Sequence, residues 1–329
     1  MAVGTRVFAE YLQPRPAHGR YEVVTIAIRT GSRLYKIVPA GLPGFAYCAG
    51  DLRLMTSVSL IITTYNWPQA LNLTLASVAR QSRLPDEVVI ADDGSGEATA
   101  QIVREWRLRL PCPVLHVWQE DRGFRLARSR NRAIVASSGD YIVLVDGDVI
   151  LHPRFVEDHL HCARPDCFIQ AARPQLSAAA TTHALSRLQT SISPLARGLT
   201  RRPYALRSPL LSRMTSKVKS SLCGIHGCNQ SFWREHAIRV NGYDERFTGW
   251  GPEDREFAAR LLHIGVARNY VRHRAVVFHL HHKSRAPHRE NPLDELMRET
   301  LRTGAVRCAH GLDSHTISIP QFVPTAATG

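Results

Sequence analysis

The chain has 329 residues, 44% of them hydrophobic and 21% charged, enough to bury the core of one large α/β domain or two smaller ones and too apolar for disorder. Lys and Arg outnumber Asp and Glu 42 to 28, a net charge of +14 that favours anionic partners such as nucleotides, phosphorylated lipids, acidic glycans or a membrane surface. The basic residues are spread out with no zinc-finger or RNP-type motif, which argues against nucleic acid. The seven cysteines are odd in number and irregularly spaced, which argues against a secreted disulfide scaffold and for reduced thiols in the cytoplasm.

Residues 1–54 have neither the layout of a signal peptide nor clear periodicity. Met55 offers a second start directly before the first clean strand, so 1–54 reads as an N-terminal extension with no assigned function. From Val58 to Thr63 the pattern is that of a buried strand, and Pro68 opens a helix whose Ala70, Leu71, Leu75, Val78 and Ala79 keep helical spacing. A second strand, Glu87–Ala91, runs into Asp92-Asp93-Gly94-Ser95. A helix over 97–108, a strand over Val114–Val117, a basic helix over 126–136 and the strand Tyr141–Val145 follow. The alternation predicts an α/β fold with a doubly wound, mostly parallel central sheet. Ligands bind beyond the carboxyl ends of such strands, and there lie Thr63-Thr64-Tyr65-Asn66, Asp92-Asp93 and Asp146-Gly147-Asp148. No apolar run reaches the roughly 18 residues of a spanning helix.

Residues 174–222 contain eight Lys or Arg and no acidic residue. They read as an inserted flap, either a solvated loop or a basic lid or membrane-surface segment. Cys223-Gly224-Ile225-His226-Gly227-Cys228 offers three zinc-type ligands without a partner pair, and reads better as a Gly-rich turn with buried thiols. Next come Gly249-Trp250-Gly251-Pro252-Glu253-Asp254, a helix burying Phe257, Ala258, Leu261 and Leu262, a strand over Ala275–Phe278, and His279-Leu280-His281-His282. The tail, 291–329, keeps helical pattern to Thr303. The main domain spans 55–290, with halves at 55–150 and 223–290.

Asp148, at an exposed strand end, is suited to hold Mg²⁺ or Mn²⁺ against phosphate oxygens, with Asp146 on ribose hydroxyls or a metal-bound water. His279 or His281 could complete the metal shell, imidazole favouring Mn²⁺. The adjacent Glu253 and Asp254 can divide base catalysis, one binding acceptor hydroxyls and the other taking the proton. Arg125, Arg128 and Arg132 share a helical face that could meet a diphosphate, with Arg128 or Arg130 as the contact. A zinc hydrolase would need a His-Glu-x-x-His helix, which is absent.

These blocks together, from about Ser57 to His282, resemble a family 2 glycosyltransferase of the GT-A fold. The block ending in Glu253-Asp254 is similar to the acceptor-side motif of galactosyltransferases and chondroitin-polymerase-like enzymes, which makes Trp250, Gly251 and Glu253 acceptor contacts. The resemblance implies that the 55–150 half binds nucleotide sugar and the 223–290 half acceptor. Thr63, Tyr65, Asn66 and Asp93 would then hold the nucleotide, with Arg128 and Arg130 nearby. Asp146 and Asp148 would serve ribose and metal, His279 would be a metal ligand with His281 in reserve, and Asp254 the base. It further implies inverting transfer of a hexose or N-acetylhexosamine from a UDP-sugar to a glycan or lipid-linked glycan, in surface polysaccharide or lipopolysaccharide assembly. The setting is cytoplasmic, with peripheral contact at the inner face of the membrane. The alternatives are a sugar-phosphate nucleotidyltransferase, which should show a Gly-rich signature near its start, and a non-catalytic nucleotide-sugar-binding protein.

Overall fold

The computed structural model describes residues 56–282 and 291–315 in full, and the backbone of three strands nearer the N-terminus. The chain forms two compact units, Met1–Leu52 and Arg53–Gly329. In the first, β1 (Arg6–Phe8), β2 (Ile26–Thr30) and β3 (Arg33–Ile37) pair antiparallel in that order. The rest of the 1–54 extension lies outside the described residues.

The second unit begins with β4 (Val58–Thr64), α1 (Pro68–Val78), β5 (Glu87–Asp92), α2 (Glu97–Arg109), β6 (Val114–Trp118), α3 (Leu126–Ala136) and β7 (Tyr141–Asp146). It continues with β8 (Val149–Leu151), α4 (Phe155–Cys162), β9 (Cys167–Ala171), α5 (Ala178–Ser186), α6 (Pro209–Thr215) and β10 (Lys217–Lys219). The last part holds β11 (Asn229–Trp233), α7 (Arg234–Arg239), α8 (Glu253–His263), β12 (Ala267–Val271), β13 (Val277–His279) and α9 (Asp294–Thr303). The main sheet has the order β10-β12-β9-β11-β7-β4-β5-β6, with β10 and β11 antiparallel to their neighbours and the rest parallel. This is the doubly wound, mostly parallel α/β class expected.

Strand period two divides the apolar side chains between two cores. Val58, Leu60 and Ile62 of β4, and Tyr141, Val143 and Val145 of β7, pack with Leu71 and Leu75 of α1 and Val103 and Trp106 of α2. Ile61, Ile142 and Leu144 face the other way, against Ala133 and Ile134 of α3 and Phe257 and Leu261 of α8. Strands buried on both faces read as continuous apolar runs, which is why these were visible in the sequence.

Two expectations are corrected. The strand placed at Ala275–Phe278 begins at Val277 instead, because His273 and Ala275 take left-handed φ values of 57° and 52°, a conformation no strand accommodates. The acid-free 174–222 segment is no loose flap: it supplies α5, α6 and the end strand β10. Having no acid of its own, it uses one from the domain body. Arg207 forks onto buried Asp158 at 2.7 and 2.8 Å, and Arg274 stands 3.5 Å away, a bidentate pairing that fixes orientation as well as charge.

Candidate active site

Parallel register sets Thr63 beside Asp146 and Thr64 beside Asp92 at the strand ends. A cleft of about 730 Å³ opens there. The first half of the chain lines it with Thr63, Tyr65, Asp93, Asp146 and Asp148, the second with Trp250, Gly251, Glu253, Asp254 and His279. Thr63 Oγ1 donates to Asp146 Oδ1 at 2.9 Å. The following turn is held by the Gly147 N–H on Thr63 O at 2.6 Å. A Cβ on Gly147 would lie 2.7 Å from that oxygen, so only glycine fits between the two acids. Asp93 accepts from Gln119 Nε2 at 2.6 Å and from the Arg125 N–H at 2.8 Å. Burial nevertheless raises its carboxyl above the ordinary range.

Arg130, only 1% exposed, is the electrostatic centre of the second wall. Its Nη1 donates to Asp254 Oδ1 at 2.6 Å and lies 3.6 Å from Glu253, while Nη2 is 3.7 Å from Asp146. The guanidinium stacks 5.1 Å over the Tyr243 ring, a pairing suited to a desolvated cation. Asp254 Oδ2 accepts the Gly227 N–H at 2.7 Å, and a Cβ at Gly227 would collide with both Arg130 and Asp254. Both acids sit in the first turn of α8, where the helix dipole favours negative charge. Their environments differ. Burial raises the Asp254 carboxyl, but Arg130 and the Gly227 N–H act the other way. Burial and then Asp254 push Glu253 up to about 8, and Glu253 Oε2 has no hydrogen-bond partner. Burial thus raises both carboxyls, and Asp254 is the one with a cation and an N–H donor opposing that rise.

A third group faces them. Asp148 Oδ1 is 3.6 Å from His279 Nε2, and Asp148 Oδ2 is 3.4 Å from His282 Nε2. The His279 Nδ1 lies 2.8 Å from Leu280 O, so Nδ1 carries the proton and Nε2 presents a lone pair. Asp148 Oδ1 is buried without a hydrogen-bond partner. Two acceptors pointed at one another across 3.6 Å fit a cation between them, and the ligand atoms of Asp148, His279 and His282 all lie within 4.8 Å of one another.

Residues 59–184 match the family model described as Glycosyl transferase family 2, and residues 208–283 that of the N-terminal domain of galactosyltransferase. Over the first of these segments the chain resembles glycosyl transferase family 2. The chain is 28% identical over 229 residues to a chondroitin synthase of Escherichia coli, a match covering 64% of this chain and 33% of that one. It is 31% identical over 230 residues to a validoxylamine A glucosyltransferase of Streptomyces hygroscopicus subsp. limoneus, covering 64% and 48%. It therefore spans between a third and a half of the length of these relatives. A solved mannosyltransferase from Pyrobaculum calidifontis in complex with GDP-Man and Mn²⁺ aligns with a TM-score of 0.46 at 19% identity, covering 74% of this chain and 61% of that one.

Not every candidate residue reaches the cleft. Asn66, at a left-handed φ of 47°, accepts the Gly96 N–H at 3.0 Å and donates its own N–H to Ser95 Oγ at 2.9 Å. It shapes the loop beneath Tyr65 and does not line the cleft. Arg128 is exposed and outside the lining too. The basic face of α3 that carries it points away, and Arg130, on the opposite face, points in. His281 does not join the metal group: its N–H donates to Thr181 Oγ1 at 2.8 Å, and His282 takes the place expected for it, because β13 ends at His279 and strand alternation stops there. Asp146 lines the cleft but lies outside the Asp148–His279–His282 group. The zinc reading of the 223–228 turn fails on burial: Cys223 is exposed while Cys228 is buried in the cleft wall. Arg173, His226, Gly227 and Cys228 line the cleft unforeseen.

The raised Glu253 carboxyl has a measurable consequence. The fold keeps a proton that the unfolded chain releases at the ordinary value of 4.5, so stability from this residue is present at low pH and falls as pH rises from 4.5 to about 8. Glu253→Gln is expected to flatten that decline. Melting temperature against pH for both proteins reads it, and parallel curves would mean Glu253 is already ionised in the fold.

Proposed function

We propose that the chain transfers a hexose or N-acetylhexosamine from a UDP-sugar to a hydroxyl of a glycan or glycolipid, with inversion. The observation that carries this is the pairing, across one cleft, of Asp254 and Glu253 with the Asp148, His279 and His282 group. The nucleotide lies over the ends of β4 and β5, against Thr63, Tyr65 and Asp93, and its ribose meets Asp146. Mn²⁺ or Mg²⁺ held by Asp148, His279 and His282 would supply positive charge to the diphosphate leaving group, the two imidazoles favouring Mn²⁺. The acceptor enters past Trp250 and Gly251. Its oxygen forms the new bond to the anomeric carbon as the bond to the diphosphate breaks, and its proton passes to Asp254. Glu253, carrying a proton, donates a hydrogen bond to an acceptor oxygen, where the sequence alone suggested it would accept one. No sugar–enzyme bond is formed. The chondroitin synthase likeness supports a role in surface polysaccharide or lipopolysaccharide assembly on the cytoplasmic side.

The test is UDP release from a panel of UDP-sugars, in Mn²⁺ and in EDTA, with slow hydrolysis as readout where no acceptor is known. Release from one donor, lost in EDTA, is expected. Asp148→Ala and His279→Ala should each lower it by more than about 100-fold, beyond the roughly 10–100-fold typical of outer-shell metal partners. Silence with every donor, and no thermal shift from UDP, would point to a different nucleotide donor or a non-catalytic binding role.

A further inference from the structure

Helix α6, the residues just ahead of it and the strand after it expose apolar side chains at four-residue intervals. Leu206, Leu210, Met214 and Val218 are 46%, 69%, 70% and 48% exposed. Leu210 and Met214 stand one turn apart on α6, opposite Ser212, its buried residue. Arg213 and Lys217, both exposed, lie among them. β10 is an end strand, bonded to β12 along one edge only. The face is firmly held. Ser208 caps α6 through the Leu211 N–H and donates its own N–H to His273 O at 2.9 Å, while Arg207 is anchored on Asp158 at 2.7 Å.

Charge decides what can cover this row. Residues 174–222 hold eight Lys or Arg and no Asp or Glu, and among the described residues only Arg207 of these has a carboxylate within 4.0 Å. A second copy of the chain is disfavoured, because a two-fold interface sets the same patch on both subunits and would press cation against cation. Leucine and methionine tips interleaved with cations suit the boundary between lipid headgroups and acyl chains, the tips entering while the cations meet phosphates. No helix of the described residues is long and apolar enough to cross a membrane.

We propose that the α6–β10 face docks this protein on an anionic lipid bilayer. The inference does not depend on the transfer chemistry, and its test contains no donor. Full-length protein is mixed with vesicles of phosphatidylglycerol and phosphatidylcholine, and with vesicles of phosphatidylcholine alone, then sedimented. Binding is expected to the mixed vesicles only, and to weaken in high salt. L210S/M214S should reduce it at least about tenfold, and R213Q/K217Q should weaken it and flatten its salt dependence. Melting temperature and the thermal shift from UDP should stay unchanged in both variants, since none of these residues lines the cleft. No binding to mixed vesicles, or equal binding by wild type and both variants, overturns the proposal. A dimer seen by light scattering without lipid and abolished by L210S/M214S overturns it too, and assigns the face to self-association.

Discussion

Replacing Arg130 with methionine is expected to lower the unfolding free energy by about 3–5 kcal/mol and to abolish turnover. Methionine fills much of the same volume over the Tyr243 ring, so packing is not what is lost. What is lost is the cation that Asp254, Glu253 and Asp146 share at 2.6, 3.6 and 3.7 Å. Without it the three acids face one another with no counter-charge, and the Glu253 and Asp254 carboxyls, already raised by burial, rise further. Loss of Arg130 shifts Asp254 further toward its protonated form, which cannot accept the acceptor's proton. The folded state would bind more protons than the unfolded one over a wider range, so the destabilisation should grow as pH rises. Urea unfolding at two pH values on either side of neutrality reads this. Arg130→Lys should recover part of the stability, because a point charge cannot reach three carboxylates as a planar fork does. An unchanged midpoint in Arg130→Met would show that the acids are already neutral in the fold.

Asp254→Asn is expected to reduce turnover about 10²–10⁴-fold, the range of a positioned general base, while leaving UDP affinity within error of wild type. The amide keeps the shape of the carboxylate, and its oxygen can still accept either from Arg130 or from the Gly227 N–H, now at 2.6 and 2.7 Å from the acid. The nucleotide side of the cleft is untouched. A parallel fall in UDP affinity would indicate a collapsed wall rather than a missing base. Full turnover would move the base to Glu253, the remaining carboxyl of that pair, whose Oε2 is unpartnered.

Much of this was legible in the sequence. β4, β5, β7 and helices α1, α2 and α3 announce themselves because their apolar residues keep one period without interruption. The strand ends carry Asp93, Asp146 and Asp148 to one edge by topology alone. β11 stayed hidden, since Asn229, Gln230 and Ser231 break every apolar pattern and yet are buried. Their partners come from distant segments: Asn229 Nδ2 donates to Ala275 O at 2.9 Å, its Oδ1 meets His159 Nε2 at 3.1 Å, and Ser231 Oγ lies 2.7 Å from the Tyr141 hydroxyl. A buried polar strand is satisfied by contacts that no local window contains. The acidic surroundings of Arg130 were not legible for a related reason. Helical spacing groups arginines by face but does not say which face meets acids 124 positions further on.

The position of β11 between β7 and β9 also shapes how the protein is made. The two matched segments, 59–184 and 208–283, are not separable modules, because a strand of the second is threaded into the sheet begun by the first. On the ribosome β7 is complete long before Trp233 has been added, and at about 5–20 residues per second that interval is on the order of ten seconds. Throughout it the apolar strand Tyr141–Asp146 offers an unpaired edge to any neighbouring nascent chain. Premature termination anywhere in the interval leaves that edge permanently open, so the architecture is at its most vulnerable during synthesis, and exchanging one matched segment for another family member's means cutting through a continuous sheet.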